Sequence, residues 1–258
     1  MNLFDLSGKV AIITGSSRGI GKAIAEAYAE AGAHVVISSR KQRACDEVAA
    51  AINKRHGDER AVAISASISA KAELENLVAQ TRGRFGHIDV LVCNAATNPY
   101  FGQMAGITDE QFRKIFENNV LANHWLISMV SPEMVQRKDG AIIVISSIGG
   151  LLGSTVLGAY NMSKAADLQL VRNLAVELGP HNIRVNAIAP GIIRTRFAQA
   201  LWEDAEAEAR WQQTAPLGRL GEPEEVAGGA VFLASKAGAY ITGQTIIIDG
   251  GTTIRHVG

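Results

Sequence analysis

The chain has 258 residues, 47% hydrophobic and 19% charged, and its 25 basic side chains balance 25 acidic ones, which argues against a general nucleic-acid surface. A chain of this length buries about three quarters of its unfolded surface, so no disulfide staple is needed, and the two cysteines, Cys45 and Cys93, read as free core thiols of a reducing compartment. No basic stretch leads into an apolar run at the start, no apolar stretch is long enough to span a membrane, and the closing Arg255-His256-Val257-Gly258 is not a peroxisomal address. The expected location is cytoplasmic.

Short apolar runs alternate with helical patterns along the chain. The expected strands are Val10–Thr14, His34–Ser38, Ala61–Ser65, Val90–Asn94, Ala141–Ser146, Arg184–Ala189 and Gln244–Ile248. They are nearly continuous in Val, Ile and Ala, as in a parallel sheet covered on both faces. In the first helical segment, Ile20, Ile24, Ala27, Tyr28 and Ala31 recur at helical spacing, and Gly32 stops it. Thr108-Asp109-Glu110-Gln111 has the form of a capping box and opens a helix expected to reach about Met134. The alternation predicts an α/β fold, a doubly wound parallel sheet of seven strands flanked by helices, with residues 1–258 in one domain. Residues Pro190 to Leu220 carry a separate helical pattern with Phe197, Leu201, Trp202 and Trp211, a candidate lid near 190–220.

Directly after the first strand, Thr14-Gly15-Ser16-Ser17-Arg18-Gly19-Ile20-Gly21 opens the first helix. Glycines let the backbone turn tightly and approach a pyrophosphate, whose charge a helix N-terminus favours. The spacing is TGxxxGxG, and the context of strand, turn and helix is what that mechanism requires. In NAD-binding folds of this kind an acid ends the second strand and bonds the ribose hydroxyls. Here the tip reads Ser38-Ser39-Arg40-Lys41, without a carboxylate, and Arg18 can reach the same place. Arg18, Ser39 and Arg40 therefore predict a 2′-phosphate, hence NADP(H). The competing reading is two solvated surface arginines.

Tyr160 and Lys164 stand at i and i+4, on one face of a helix, with Ser147 thirteen residues upstream of the tyrosine. A free phenol, with a pKa of about 10, gives up its proton reluctantly near neutrality. An ammonium one turn away favours the phenolate and makes the pair a usable general acid/base. Six scattered histidines offer no metal-ligand spacing. Asp249 reads as a turn residue near the end of the sheet, and Trp125 with Met129 as part of a core or subunit face.

Together these residues resemble the short-chain dehydrogenase/reductase family in its form of roughly 250 residues, over Leu6 to Thr252. The resemblance rests on the TGxxxGxG loop, Cys93-Asn94-Ala95-Ala96 for the usual NNAG, Asn119, Ser147, YxxxK, Asn186 to Pro190-Gly191, and Ile241-Thr242-Gly243 with Asp249-Gly250-Gly251. Within the family, Asn94 to Gly102 and Ser38 to Gln42 are similar to the NADP-dependent carbonyl reductase and retinol dehydrogenase-like subgroup. Ala96 departs from the final glycine of NNAG. Ser67, followed by Ile68, stands where many members carry an aspartate toward the adenine.

The resemblance implies a Rossmann fold and a role for each residue. Tyr160 would protonate a carbonyl oxygen, or deprotonate an alcohol in reverse. Lys164 would lower its pKa and bond the nicotinamide ribose, and Ser147 would hydrogen-bond the substrate oxygen. Asn119 would break the regularity of its helix and hold a water leading from Lys164 to solvent. Asn94 and Ala95 would line the cofactor, and Thr195 with Ile193 would hold the carboxamide after the Pro190-Gly191 turn. The implied activity is NADP-dependent reduction of a ketone or aldehyde, with a bulky apolar substrate suggested by the tryptophans and leucines of the lid. A homotetramer is implied, and neither a membrane nor a nucleic-acid partner is expected. An NAD-preferring alcohol dehydrogenase, a 3-oxoacyl thioester reductase and a cofactor-binding regulator without turnover are the alternatives. Intact Asn119, Ser147, Tyr160 and Lys164 speak against the regulator, which needs none of them together.

Overall fold

Seven short, apolar, mostly β-branched runs form one parallel sheet: β1 (Val10–Thr14), β2 (His34–Ser38), β3 (Ala61–Ala63), β4 (Val90–Cys93), β5 (Gly140–Ile145), β6 (Ile183–Pro190) and β7 (Thr245–Ile248). The structure, a computed structural model, describes residues 2–202 and 204–255. The strand order is β3-β2-β1-β4-β5-β6-β7, and every pairing is parallel. The chain runs outward from β1 in one direction and then, after β3, crosses back to build β4 to β7 on the other side. All strand carboxyl ends therefore lie on one edge, and the reversal opens beside β1 and β4.

Alternation along the strands feeds two apolar layers. In β1, Ala11 and Ile13 join the layer of α1 (Gly19–Glu30), α2 (Gln42–His56) and α9 (Pro223–Ala234), while Ile12 points into the other. That second layer belongs to α3 (Lys71–Phe85), α5 (Ala122–Arg137) and α6 (Gly158–Leu178), and Trp125 and Met129 of α5 pack against it partly buried. Tyr28 of α1 is fully buried, and its hydroxyl donates to the Ala230 carbonyl of α9 at 3.1 Å, which satisfies the one polar atom of the ring.

The long helix expected from Thr108 to Met134 is not continuous. The capping box forms, with Thr108 Oγ1 accepting from the Gln111 N–H and Gln111 Oε1 from the Thr108 N–H. It opens α4 (Asp109–Phe116), after which Glu117–Leu121 widen into a π-helical turn before α5. Three strands also end earlier than expected, β3 at Ala63, β4 at Cys93 and β5 at Ile145. The ladder of β3 stops at Ala63, where β2 is about to run out, and Asn94 turns out of β4 because its N–H is taken by Thr14 Oγ1 at 3.0 Å. Between β6 and α9 lie two short helices, α7 (Gln199–Trp202) and α8 (Ala205–Thr214). The side chain of Leu201 and residues 256–258 lie outside the described residues.

Candidate active site

The glycine turn after β1 is held from the side by Asn94. Its Nδ2 donates to the Thr14 carbonyl at 2.8 Å, and Thr14 Oγ1 in return accepts the N–H groups of Asn94 and Ala95 at 3.0 and 3.1 Å. A methyl group on Gly21 would come within 2.5 Å of Asn94 Nδ2 and 2.6 Å of the Gly15 carbonyl, so only glycine lets α1 start so close to β4. The first turn of α1 has neither a side-chain cap nor an acidic residue, and Gly19, Ile20 and Gly21 begin it. Uncapped N–H groups behind a close-packed glycine turn, with Ser17 and Arg18 leading into them, fit a pyrophosphate. Ala96 causes no strain, since its φ is not positive.

At the tip of β2, Ser39 Oγ lies 3.2 Å from Cys45 Sγ. Arg18 and Arg40 are exposed, and among the described residues no carboxylate engages either guanidinium. Beyond β3, Ser67 Oγ accepts from the Ser69 N–H at 3.3 Å and the Ser67 N–H donates to Glu73 Oε2, with Ile68 partly buried beside them. After β6, Gly191 gives its N–H to the Ile248 carbonyl, Ile193 bridges to Gly221, and the Thr195 methyl comes within 3.3 Å of where a Gly19 side chain would begin. The sequence-predicted cofactor residues thus stand at the carboxyl ends of neighbouring strands.

Ser147 follows β5, and its Oγ accepts the Gly149 N–H at 3.0 Å, which fixes the turn. Gly150 lets that turn press on α6: a methyl group there would sit 2.8 Å from the Lys164 carbonyl carbon. Tyr160 and Lys164 share one face of α6, with Nζ 5.8 Å from the ring centroid. Lys164 is buried and donates to the Ile145 carbonyl at 2.9 Å and to Asp167 Oδ2 at 3.0 Å. Tyr160 also meets Phe197, ring centroids 6.2 Å apart.

Lys164 pulls the Tyr160 phenol down, as its place one turn away predicts, but the net shift of the tyrosine is upward. Burial pushes the Tyr160 phenol up, and this outweighs the downward pull of the Lys164 ammonium; the Asp167 carboxylate adds to the rise, while the Ser147 hydroxyl opposes it. Lys164 is itself raised, because Asp167 and Tyr160 overcome the cost of burial. Burial likewise raises Asp167 against the opposing effects of Lys164 and Asn123.

Asn119 lies in the π-helical turn, where the resemblance implies a break in the regularity of its helix. Its side chain clamps the loop after β4: Oδ1 accepts the Thr97 N–H at 2.8 Å, and Nδ2 donates to the Thr97 carbonyl and to Ser163 Oγ, both at 3.0 Å. Its carbonyl accepts from Asn123 Nδ2 at 2.6 Å. Asn123, Ser163 and Asp167 were not singled out from sequence. The available signal was Asp167, a carboxylate three residues after a lysine on one helical face. Asp249 is the expected turn residue: its carboxylate accepts the N–H groups of Gly251 and Thr253, and these hold it below the usual range against burial. Among the described residues no group of His, Cys, Asp and Glu is arranged to hold a metal, and no helix is long and apolar enough to cross a membrane.

A family model described as "Enoyl-(Acyl carrier protein) reductase" matches residues 15–253. Dehydrogenase/reductase SDR family member 4 of Oryctolagus cuniculus is 45% identical over 253 residues, 97% of this chain and 95% of that protein. Among solved structures, a 7α-hydroxysteroid dehydrogenase complexed with NADH and 7-oxo glycochenodeoxycholic acid superposes with a TM-score of 0.92 at 37% identity, covering 96% of each chain. A gluconate 5-dehydrogenase from Burkholderia cenocepacia, in complex with NADP and tartrate, does so with 0.93 at 30% identity and 99% coverage of both.

Proposed function

The chain belongs to the short-chain dehydrogenase/reductase family, and we propose that it reduces a ketone or aldehyde to an alcohol with NADPH, reversibly. The observation that carries the reading is the convergence of Ser147, Tyr160 and Lys164 in a fold whose β1 leads into an uncapped helix start. Bound NADPH supplies the hydride. Ser147 donates a hydrogen bond to the substrate oxygen and stabilises the charge that grows there. Tyr160 Oη delivers its proton to that oxygen, and the phenolate left behind is stabilised by Lys164. Lys164 also holds the ribose hydroxyls. In the oxidative direction the proton returns from the alcohol to Tyr160.

Arg18, Ser39 and Arg40 take the 2′-phosphate, a choice supported by two exposed guanidinium groups and no acid at the tip of β2. Ser67, Ile68, Asn94 and Ala95 line the adenosine side, and Pro190, Gly191, Ile193 and Thr195 the nicotinamide side. Asn119 serves by clamping the Thr97 loop and by holding a water on the way from Lys164 to solvent. The substrate is apolar: Phe101, Met104, Leu151, Leu152 and Phe197 are exposed large side chains on loops around the site. The segment 190–220 closes over it as a lid on the single domain. Two separate, buried, free thiols support a cytoplasmic setting, and exposed Val176, Tyr240 and Ile247 support burial between copies in a homotetramer.

Steady-state consumption of NADPH against a panel of ketones and aldehydes tests the reading. Turnover of bulky apolar ketones is expected. No turnover with any carbonyl, alongside tight NADPH binding, would favour a regulator.

A further inference from the structure

Asp167 has no part in the reaction proposed above, yet it lies buried one turn beyond Lys164 on the same helix. A carboxylate away from water is costly unless it is both paired and hydrogen-bonded. Asp167 is both. Its Oδ2 accepts from Lys164 Nζ and its Oδ1 from Asn123 Nδ2, each at 3.0 Å. Asn123 is fixed in turn by donating to the Asn119 carbonyl at 2.6 Å, across the π-helical turn. An ammonium has three donors. Asp167 and the Ile145 carbonyl engage two of those on Lys164, so its aim is set by groups that take no part in the reaction.

We propose that Asp167, seated on Asn123, is a positioning residue that aims the Lys164 ammonium and fixes the net charge beside Tyr160. The inference rests on Tyr160 being the acid/base. With Asp167 ionised, the tyrosine faces a paired lysine and not a bare cation. Proton release then needs a higher pH than Lys164 alone would impose. The ionisable groups that influence one another here are Tyr160, Lys164 and Asp167 of α6 and Cys93 of β4. From the π-helical turn and α5 come the neutral Asn119 and Asn123, and from β5 and its following turn the Ile145 carbonyl and Ser147. The Cys93 thiol is pushed far up by burial and stays neutral.

Asp167→Asn keeps the shape and an acceptor for Lys164 while removing the charge. Taking away a buried negative charge makes the first proton of the Tyr160–Lys164 pair easier to lose, whichever member gives it. The rising limb of kcat/KM for alcohol oxidation, and the falling limb for carbonyl reduction, should both move to lower pH by about one unit. NADPH affinity, followed by its fluorescence, should stay close to wild type. If Asp167→Asn does not fold, Asn123→Ala carries the test: losing that donor favours the protonated carboxyl, and the limbs move the same way by less. Activity lowered equally at every pH, with unmoved limbs, would make Asp167 a structural residue only and overturn the proposal. A Tyr160→Phe variant run beside these separates the two readings. If it stays active, the acid/base assignment fails; if it is inactive and the limbs are unmoved, only the role of Asp167 fails.

Discussion

Phe197 holds its ring 6.2 Å from that of Tyr160, tilted by 44°, while 56% exposed and carried on the segment that follows β6. An apolar ring this near the proposed acid/base that still faces solvent is suited to cover a substrate. Amide hydrogen exchange in residues 195–211 should therefore slow when NADPH and a ketone substrate are both bound. Equal exchange in the two states would mean a fixed wall, and substrate selection would pass to Leu151, Leu152, Val156 and the Tyr100-Phe101 loop.

Coenzyme choice should follow the charges at the tip of β2. A charge-assisted hydrogen bond contributes about 1.5–3 kcal/mol. Arg18→Ala or Arg40→Ala should then weaken NADPH by roughly 10- to 100-fold and NADH much less. Ser39→Asp combined with Arg40→Ala should reverse the preference, since a carboxylate repels the phosphate and accepts the free ribose hydroxyls. A wild type that uses NADH better than NADPH would return both arginines to ordinary surface charge.

Stability has a separate anchor in Asp89, which is buried. One oxygen accepts the Val10 N–H at 2.8 Å, the other pairs with Arg137 at 2.7 Å, and His87 lies within 3.0 Å. Asp89→Ala leaves the N–H and the guanidinium without that partner. Because Arg137 is partly exposed, the expected loss is about 2–4 kcal/mol, read from urea midpoints, with KM for NADPH little changed. A loss within error of zero would mean that water replaces the carboxylate.

The strands and the glycine turn were legible because their signals are local: continuous Val and Ile, then TGxxxGxG. Ser147, Tyr160 and Lys164 could be named because two of them share a helical face and the third fits a family pattern. The break at Glu117–Leu121 was legible only through Asn119. The capping box predicts where α4 starts, while no local residue pattern marks an extra residue in a turn. The net direction of the Tyr160 shift was not legible, because burial and Asp167 act through tertiary packing, which i,i+4 spacing does not report. Asp167 was passed over because its significance depends on Asn123, 44 residues away.

One exposed pair gives a pH signature. Arg219 and the Glu222 N–H hold the Glu225 carboxyl down at about 2, from the usual 4.5. A carboxyl depressed in the folded state stabilises above its unfolded pKa, and that stabilisation fades as pH falls from about 4.5 toward about 2. Glu225→Gln should therefore lower the urea midpoint slightly at pH 6 and lose its effect near pH 2. A difference that persists at pH 2 would assign the effect to the hydrogen bond from the Glu222 N–H and not to charge.

The central claim, that Tyr160 moves the proton, is tested most directly by the turnover of Tyr160→Phe with NADPH and a ketone that the wild type reduces. General acid/base groups typically contribute 10²–10⁴-fold. The account predicts a loss of that size in kcat with NADPH affinity nearly intact, because the hydroxyl acts on the substrate oxygen and not on the cofactor's phosphates. A variant that keeps more than about a tenth of wild-type turnover would contradict it.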